Sequence, residues 1–313
     1  MSKSLTGKPP AGKPPAGKSP AGKSPAGKSP AGKSPTGKSS TGRSSIRLAP
    51  ALWLTAVTVF AGLPVLWMAL TSFQPMEDLV GNGRHLIPEH LTAGAYHEVV
   101  SAFPFGRWFL NSVLVALAVV AGNLVFDTLA AYGLSRIRFR GRQAVLTLIL
   151  ATLMIPTQVI LVPLYLVMRD LDWIDTYWAL IVPFLASPTG IFLLRQHFVT
   201  LPVQLDEAAA IDGAGRLRTL VSILLPNSWA ALGTVAVLKF MWTWGEFAWP
   251  SLVTNNEQLR TLPVGLAQFQ NQFAPRWDLL MAGSVLAAIP VVLAFVLLQK
   301  TFVSGLTGGA VKE

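Results

Sequence analysis

The sequence predicts an all-α integral membrane protein with six transmembrane helices behind a disordered N-terminal tail. Three observations carry that reading. The 313 residues are 52% hydrophobic and only 13% charged, too apolar for a soluble chain of this length. Six apolar stretches each approach the about 20 residues that a bilayer crossing needs. The charge, finally, is partitioned. The net charge of +10 resembles a nucleic-acid signal, yet residues 1–47 hold ten Lys or Arg and no acid, and the remainder carries 15 bases against 15 acids. The membrane body is therefore neutral and no nucleic-acid partner is expected. With no cysteine in the chain, disulfides, thiolate metal sites and cysteine nucleophiles are excluded.

From Thr6 to Ser45 the chain is eight pentads of the form [TA]-G-[KR]-[PS]-[PS]. Such a tract cannot bury enough apolar area to offset its chain entropy, so a disordered basic tail is expected over residues 1–47 and a six-helix membrane domain over 48–313. The period of five also generates the phosphate-loop pattern G-x4-G-K-S, for instance from Gly17 to Ser24. A working phosphate loop needs a strand before it and a helix after it, and prolines at this density supply neither. Attraction of the tail to anionic membrane lipid and an inert extension are both compatible with its composition.

The six stretches lie at about 51–72, 108–132, 144–167, 177–198, 229–250 and 279–302. The first has too long an apolar run for a signal peptide and no clear cleavage site, so it is expected to stay as an anchor. With the N-terminus inside, the inner segments beyond the tail hold Arg136, Arg138, Arg140, Arg142, Arg195, Arg216, Arg218, Lys300 and Lys312. The outer segments hold Arg84, Arg107, Arg169, Arg260 and Arg276. The excess places both termini in the cytoplasm of a multi-pass plasma or inner-membrane protein. His85, Glu89, His90, His97 and Glu98 crowd one outer segment, but their spacing matches no metal-ligand signature, so no metal and no cofactor is expected there. Neither H-E-x-x-H nor G-x-S-x-G occurs, and no catalytic residue is assigned.

Between the fourth and fifth stretches the chain reads EAAAIDGAGRLRTLVSILLP from Glu207 to Pro226. Thr200 is a candidate N-cap with Pro202 in the first turn, which predicts a short helix to Asp212, stopped at Gly213 by a left-handed C-cap. Leu217, Leu220, Val221 and Leu224 follow at i, i+3, i+4 and i+7, the stripe of a second, amphipathic helix that Pro226 breaks. Ala208, Ala209 and Ala210 make the first helix thin enough to enter a groove on a partner. A lone E-A-A triplet would read as an ordinary surface hairpin.

In the fifth stretch Lys239 sits about ten residues, or ~15 Å, from either end of a helix, too far to snorkel to water. It is therefore expected to face protein or an aqueous path. Lys239, Trp242, Glu246 and Trp249 recur at i, i+3, i+7 and i+10, one helical face if the helix is continuous. Such a face can hydrogen-bond hydroxyl groups and stack on C–H groups of a polar solute. Alternatively, Lys239 pairs with a carboxylate or carbonyl in a subunit interface.

Glu207, Ala208, Ala209, Gly213, Ile223, Leu225 and Pro226 fill every fixed position of E-A-A-x3-G-x9-I-x-L-P, and residues 200–226 thereby resemble the coupling loop of ABC importer permeases. Asn111-Ser112, AAYGLSRIRFRGR at 130–142, MIPTQVILVPLYL at 154–166, TYWALIVPFLASPTGIFLLRQHF at 176–198, TLPVGLAQFQ at 261–270 and GLTGGAVK at 305–312 extend the resemblance to the carbohydrate-uptake, maltose-type branch. One departure is Trp244-Gly245-Glu246-Phe247, where that branch commonly has W-N-D-F. The resemblance implies a type I importer fold with its core at about 106–302. It further implies a second permease subunit, two ATPase subunits engaged through the E-A-A loop, an extracytoplasmic solute-binding protein, and a small-molecule, sugar-like substrate. A secondary transporter or channel driven by an ion gradient is the alternative, and it calls for inverted repeats and an intramembrane carboxylate relay.

Overall fold

The computed structural model describes residues 45–80, 90–270 and 275–307. The pentads up to Ser44, together with His85, Glu89 and Lys312, lie outside the described residues. The chain divides into two units, 1–56 and 57–313.

The described residues form helices α1 Ser45–Thr71, α2 Met76–Val80, α3 Gly94–Ser101, α4 Phe105–Arg136, α5 Arg142–Thr152, α6 Thr157–Asp170, α7 Tyr177–Ile181, α8 Pro188–Thr200, α9 Gln204–Ile211, α10 Arg216–Thr219, α11 Trp229–Gly245, α12 Ala248–Val253, α13 Leu262–Ala267 and α14 Trp277–Thr307. Among them no strand occurs. Helix α1 starts at Ser45, so Ser45–Arg47 lie in a helix.

Among the described residues, four segments are long and apolar enough to cross a bilayer: Leu52–Thr71, Phe105–Arg136, Tyr177–Thr200 and Trp277–Val296. The count reaches six only when two bent pairs are each taken as one span. The third expected span is such a pair, α5 and α6 meeting at 100°. Pro156 explains the break, because it lacks an N–H and disfavours the α region at Ile155 before it. The other pair joins Arg216–Leu224 to Pro226–Gly245 at 49°.

Helix α4 is the axis of the bundle, about 48 Å long at 1.5 Å per residue. Its N-terminal third packs Phe105, Trp108 and Ala116 with Trp244, Leu262, Leu266 and Leu279, while its C-terminal third packs Ala131 and Tyr132 with Leu194, Phe198, Leu220 and Leu224. Between these two layers Val115 and Val119 meet Met168, Leu180, Trp249 and Val253.

Several polar residues buried on α4 bond to neighbouring backbone at helix ends and short 3-10 turns. Asn111 Nδ2 donates to the carbonyls of Gln258 at 2.8 Å and Arg260 at 2.9 Å, and Asn111 Oδ1 accepts from the Tyr177 hydroxyl at 2.7 Å. Ser112 Oγ accepts from Leu262 N at 2.7 Å. Further along, the fourth span is interrupted between α7 and α8, where Pro183 and Pro188 remove two donors. Asn123 Nδ2 donates to the Phe184 carbonyl and Asp127 accepts from Ser187, so the freed backbone groups are satisfied from α4. A broken helix at membrane depth is tolerated only on that condition.

Candidate functional sites: a mid-bundle cavity and an exposed hairpin

Helix α8 starts inside the bundle. Ser187 is its N-cap in extended conformation, with Oγ accepting from Gly190 N at 3.1 Å and Pro188 at the first helical position. Asp127, fully buried on α4, clamps that cap: Oδ1 accepts from Ser187 N at 2.7 Å and Oδ2 from Ser187 Oγ at 2.8 Å. A Cβ at position 190 would collide with Asp127 Oδ2, so only glycine lets α8 approach this closely. A carboxylate at the helix N-terminus also meets the favourable end of the helix dipole.

Beside this junction opens a cavity of about 450 Å3, lined by Lys239 and Trp242 of α11, Phe184 and Ser187 at the α7–α8 break, and Thr157 of α6. Lys239 Nζ lies 4.4 Å from the centroid of the Trp242 ring and 5.8 Å from that of Phe184, within cation–π range of both. Among the described residues no carboxylate comes within salt-bridge distance of Lys239; Asp127 and Glu246 act on its charge from farther away. The arrangement offers a cation, indole and phenyl faces, and a hydroxyl around one space.

The four-residue face expected on the fifth span is divided. Helix α11 ends at Gly245, and Glu246 is its extended C-cap. Trp249 belongs to α12, is 1% exposed and donates its Nε1–H to the Ala179 carbonyl at 2.9 Å, which makes it a core residue. Glu246 Oε1 accepts from Trp249 N at 3.1 Å and so caps α12, while its side chain borders a narrow recess shared with Trp242. Lys239 and Trp242 line the cavity; Glu246 and Trp249 build the α11–α12 junction. The i, i+3, i+7, i+10 spacing presumed one continuous helix, and the break after Gly245 undoes it. Val237, which periodicity alone turns toward lipid, is buried.

Asp127 is the residue that the sequence reading passed over. Its signal was available, as a single carboxylate inside an apolar stretch is a site hypothesis by default. Here both carboxylate oxygens are taken by Ser187, which gives a structural bracket rather than a member of a relay.

The second region is the hairpin at 200–226. Thr200 is not its N-cap: it is the last residue of α8 and its Oγ1 donates to the His197 carbonyl at 2.7 Å. Helix α9 starts four residues later at Gln204. Its end is as the spacing predicts. Gly213 has φ +73°, Gly213 N donates to Ala210 O at 3.1 Å, and Ala214 N donates to Ala209 O at 2.8 Å, the paired bonds of a Schellman cap. The second helix begins at Arg216 and widens into a π turn over Leu220–Leu224, with Leu225 N donating to Leu220 O at 2.9 Å. Pro226 supplies the reason: it has no N–H and its ring crowds the carbonyl four residues back, so the preceding turn opens. The chain then continues through a 3-10 turn at Pro226–Ser228 into α11, bent rather than terminated.

The predicted amphipathic stripe splits in two. Leu220 and Leu224 enter the core, while Leu217 and Val221 stay exposed. On α9, Ala209 is 2% exposed and faces inward, whereas Glu207, Ala208 and Ala210 face outward and Ile211 is 87% exposed. Ile223 and Leu225 are half-buried at the root of the hairpin. The outward side is thus a thin helix bearing the exposed Glu207 carboxylate, flanked by Ile211, Leu217 and Val221.

Comparison with known proteins places both regions in context. The family model of the binding-protein-dependent transport system inner membrane component matches residues 125–308. The chain is 35% identical over 259 residues to the arabinooligosaccharides transport system permease protein AraQ of Halalkalibacterium halodurans, covering 82% of this chain and 93% of that protein. It is 38% identical over 254 residues to the trehalose/maltose transport system permease protein MalG of Thermococcus litoralis, covering 80% and 91%. In fold it is similar to a chain from the crystal structure of a bacterial ABC transporter involved in the import of the acidic polysaccharide alginate, with a TM-score of 0.75 at 24% identity over 85% of this chain and all of that one. A fixed helix–glycine–helix hairpin between membrane spans, a bundle with this topology and a family match over more than half of the chain lead to one conclusion: the protein belongs to the family of binding-protein-dependent transport system inner-membrane components.

Proposed function

We propose that this chain is one of two permease subunits of an ATP-driven importer for a sugar or oligosaccharide. The observation that carries the reading is the exposed α9–Gly213–α10 hairpin, a rigid element that presents Glu207, Ala208 and Ile211 outward while Leu220 and Leu224 root it in the bundle. In this reading Glu207, Ala208, Ala209, Gly213, Ile223, Leu225 and Pro226 form the element that engages an ATPase subunit on the cytoplasmic side. Two such ATPases, a second permease and an extracytoplasmic solute-binding protein complete the assembly, and both termini are cytoplasmic. The chain contributes no catalytic residue and holds no cofactor of its own.

The carbohydrate substrate is supported by relatives whose names specify arabinooligosaccharides and trehalose or maltose. Lys239 and Trp242, with Glu246 at the edge, offer hydrogen bonding and ring stacking in the cavity and are proposed to line the path. Trp249 supports them from the core. Mechanically, ATP must favour one conformer over another for the hairpin to move the spans; equal affinity for both would shift nothing. The rigid hairpin transmits the shift because its glycine elbow is pinned by two backbone bonds.

The ion-gradient alternative gains nothing from the structure, since Asp127 is committed to Ser187. The test is uptake of labelled oligosaccharide in cells carrying the whole system. ATP depletion is expected to abolish uptake, and an ionophore that collapses ion gradients at constant ATP is expected to leave it. The reverse pattern overturns the proposal.

A further inference from the structure

Between the α4–α5 corner and the hairpin lies a second recess, of about 520 Å3, which the transport reading does not use. Arg136, Arg138, Arg142 and Arg216 line it, and Asp206 is its one acidic lining residue. Arg136 is the built part. Its side chain is 8% exposed, Nη2 donates to the Leu201 carbonyl at 2.9 Å, Nη1 lies 3.3 Å from Asp206 Oδ2, and the buried Nε has no acceptor. Arg142 spends one bond on the Ser135 carbonyl at 3.1 Å. Arg138 and Arg216 are exposed and meet no carboxylate at salt-bridge distance among the described residues.

Four guanidinium groups around one acid repel one another, an effect that weighs most on the buried Arg136, and a buried N–H without an acceptor costs free energy. Both costs vanish with one ligand, an anion rich in acceptors. A phosphate group is the match, because guanidinium forks bind it bidentately and the volume admits a headgroup-sized ligand. Phe139, exposed between Arg138 and Arg140, gives the corner the aromatic and basic composition of a membrane–water boundary.

We propose that this recess binds a phosphate-bearing anion, the headgroup of an anionic phospholipid or a free phosphate, and that the anion ties the hairpin to the α4–α5 corner. Ala210 and Ala214 of the hairpin form part of its wall, so the ligand contacts the same element that is proposed to engage the ATPase. The inference goes beyond the coupling reading and does not require it.

The experiment uses the full chain, without ATPase, in nanodiscs of phosphatidylcholine alone or mixed with phosphatidylglycerol. Lipid retained after detergent extraction is weighed by native mass spectrometry, and the unfolding midpoint is followed as inorganic phosphate is added. The wild type is compared with Arg138→Gln/Arg216→Gln, which spares Arg136, and with Arg169→Gln/Arg260→Gln, which removes two charges elsewhere. At about fivefold per arginine, the recess variant is expected to lose roughly thirtyfold in phosphatidylglycerol retention while the control variant matches wild type. If phosphate instead raises the midpoint of the wild type but not of the recess variant, with lipid retention equal, the ligand is free phosphate and the site stands. Equal behaviour of all three proteins in both arms overturns the proposal. Because ATPase association is scored separately, by copurification, failure of the anion site and failure of the coupling reading are distinguishable.

Discussion

The α8 junction and the hairpin are both built on a helix end, yet they solve opposite problems. At the junction the helix N-terminus is buried, Ser187 N and Gly190 N each find a side-chain acceptor, and Gly190 is needed because Asp127 is too close for any Cβ. On the hairpin the helix C-terminus projects outward, its bonds are made by its own backbone, and Gly213 is needed because φ is +73° with open space around it. One glycine answers to a neighbour and the other to the chain itself. The difference separates an element that fixes the bundle from an element free to be gripped.

Substitutions at the fixed part should cost folding, and those at the gripped part should cost coupling. The largest expected effect is that of Trp249→Ala, which removes a fully packed indole and its bond to Ala179 and is predicted to destabilise by about 3–5 kcal/mol. Trp242→Ala, at a position 39% exposed, is expected to leave folded yield unchanged and to lower uptake instead. Survival of monodisperse protein after a heating series, set beside uptake at matched membrane abundance, measures both. Equal loss of fold in the two variants would erase the distinction between core and cavity.

Next comes Asp127→Ala, which leaves the Ser187 N–H and hydroxyl without their acceptor and is expected to cost about 2–3 kcal/mol, read in the same heating series. Gly213→Val forces a β-branched residue to positive φ, a local strain of about 1–2 kcal/mol. Membrane abundance is expected to stay near wild type while copurification of the ATPase falls, and Glu207→Arg should do the same by reversing an exposed charge. Wild-type association in both would remove the hairpin from the coupling path. The smallest effect belongs to the cluster in which Arg276 donates to Glu98 and Asp278 at 2.8 Å each. Those two acids hold its guanidinium above its ordinary range, chiefly Asp278. Because Glu98 and Arg276 are partly exposed, Glu98→Gln is expected to cost less than about 1 kcal/mol in the heating series.

The two regions also differ in how much of them could be read from residues in order. The hairpin is local: its helix and its glycine stop lie within one short run, so spacing alone found Gly213, while of the expected stripe only Leu220 and Leu224 are buried and Leu217 and Val221 are not. Spacing failed at Thr200, because α8 runs on to claim that residue; at Pro226 the expected break occurs, but the π turn before it and the 49° bend through it were not legible. The cavity is non-local. It needs Lys239 from one span, Phe184 and Ser187 from a break in another and Thr157 from a third, and no periodicity on a single helix reports such a meeting. Periodicity misled at Trp249 because it assumed a continuous helix across Gly245. The six apolar stretches were legible from composition, but the 100° turn between α5 and α6 was not, since Pro156 says that the helix breaks and not by what angle.

The absence of native cysteine allows the most direct test of the central claim, that the hairpin's outward face is gripped by an ATPase. Single cysteines at Ala208, Ile211 and Ala209 would be labelled with a short thiol-reactive photo-cross-linker in the whole transporter and illuminated. The account predicts cross-links to the ATPase from positions 208 and 211, changing in yield with nucleotide, and none from position 209, which faces the bundle. No cross-link from 208 or 211 in any nucleotide state, in a transporter that still copurifies with its ATPase, would contradict it.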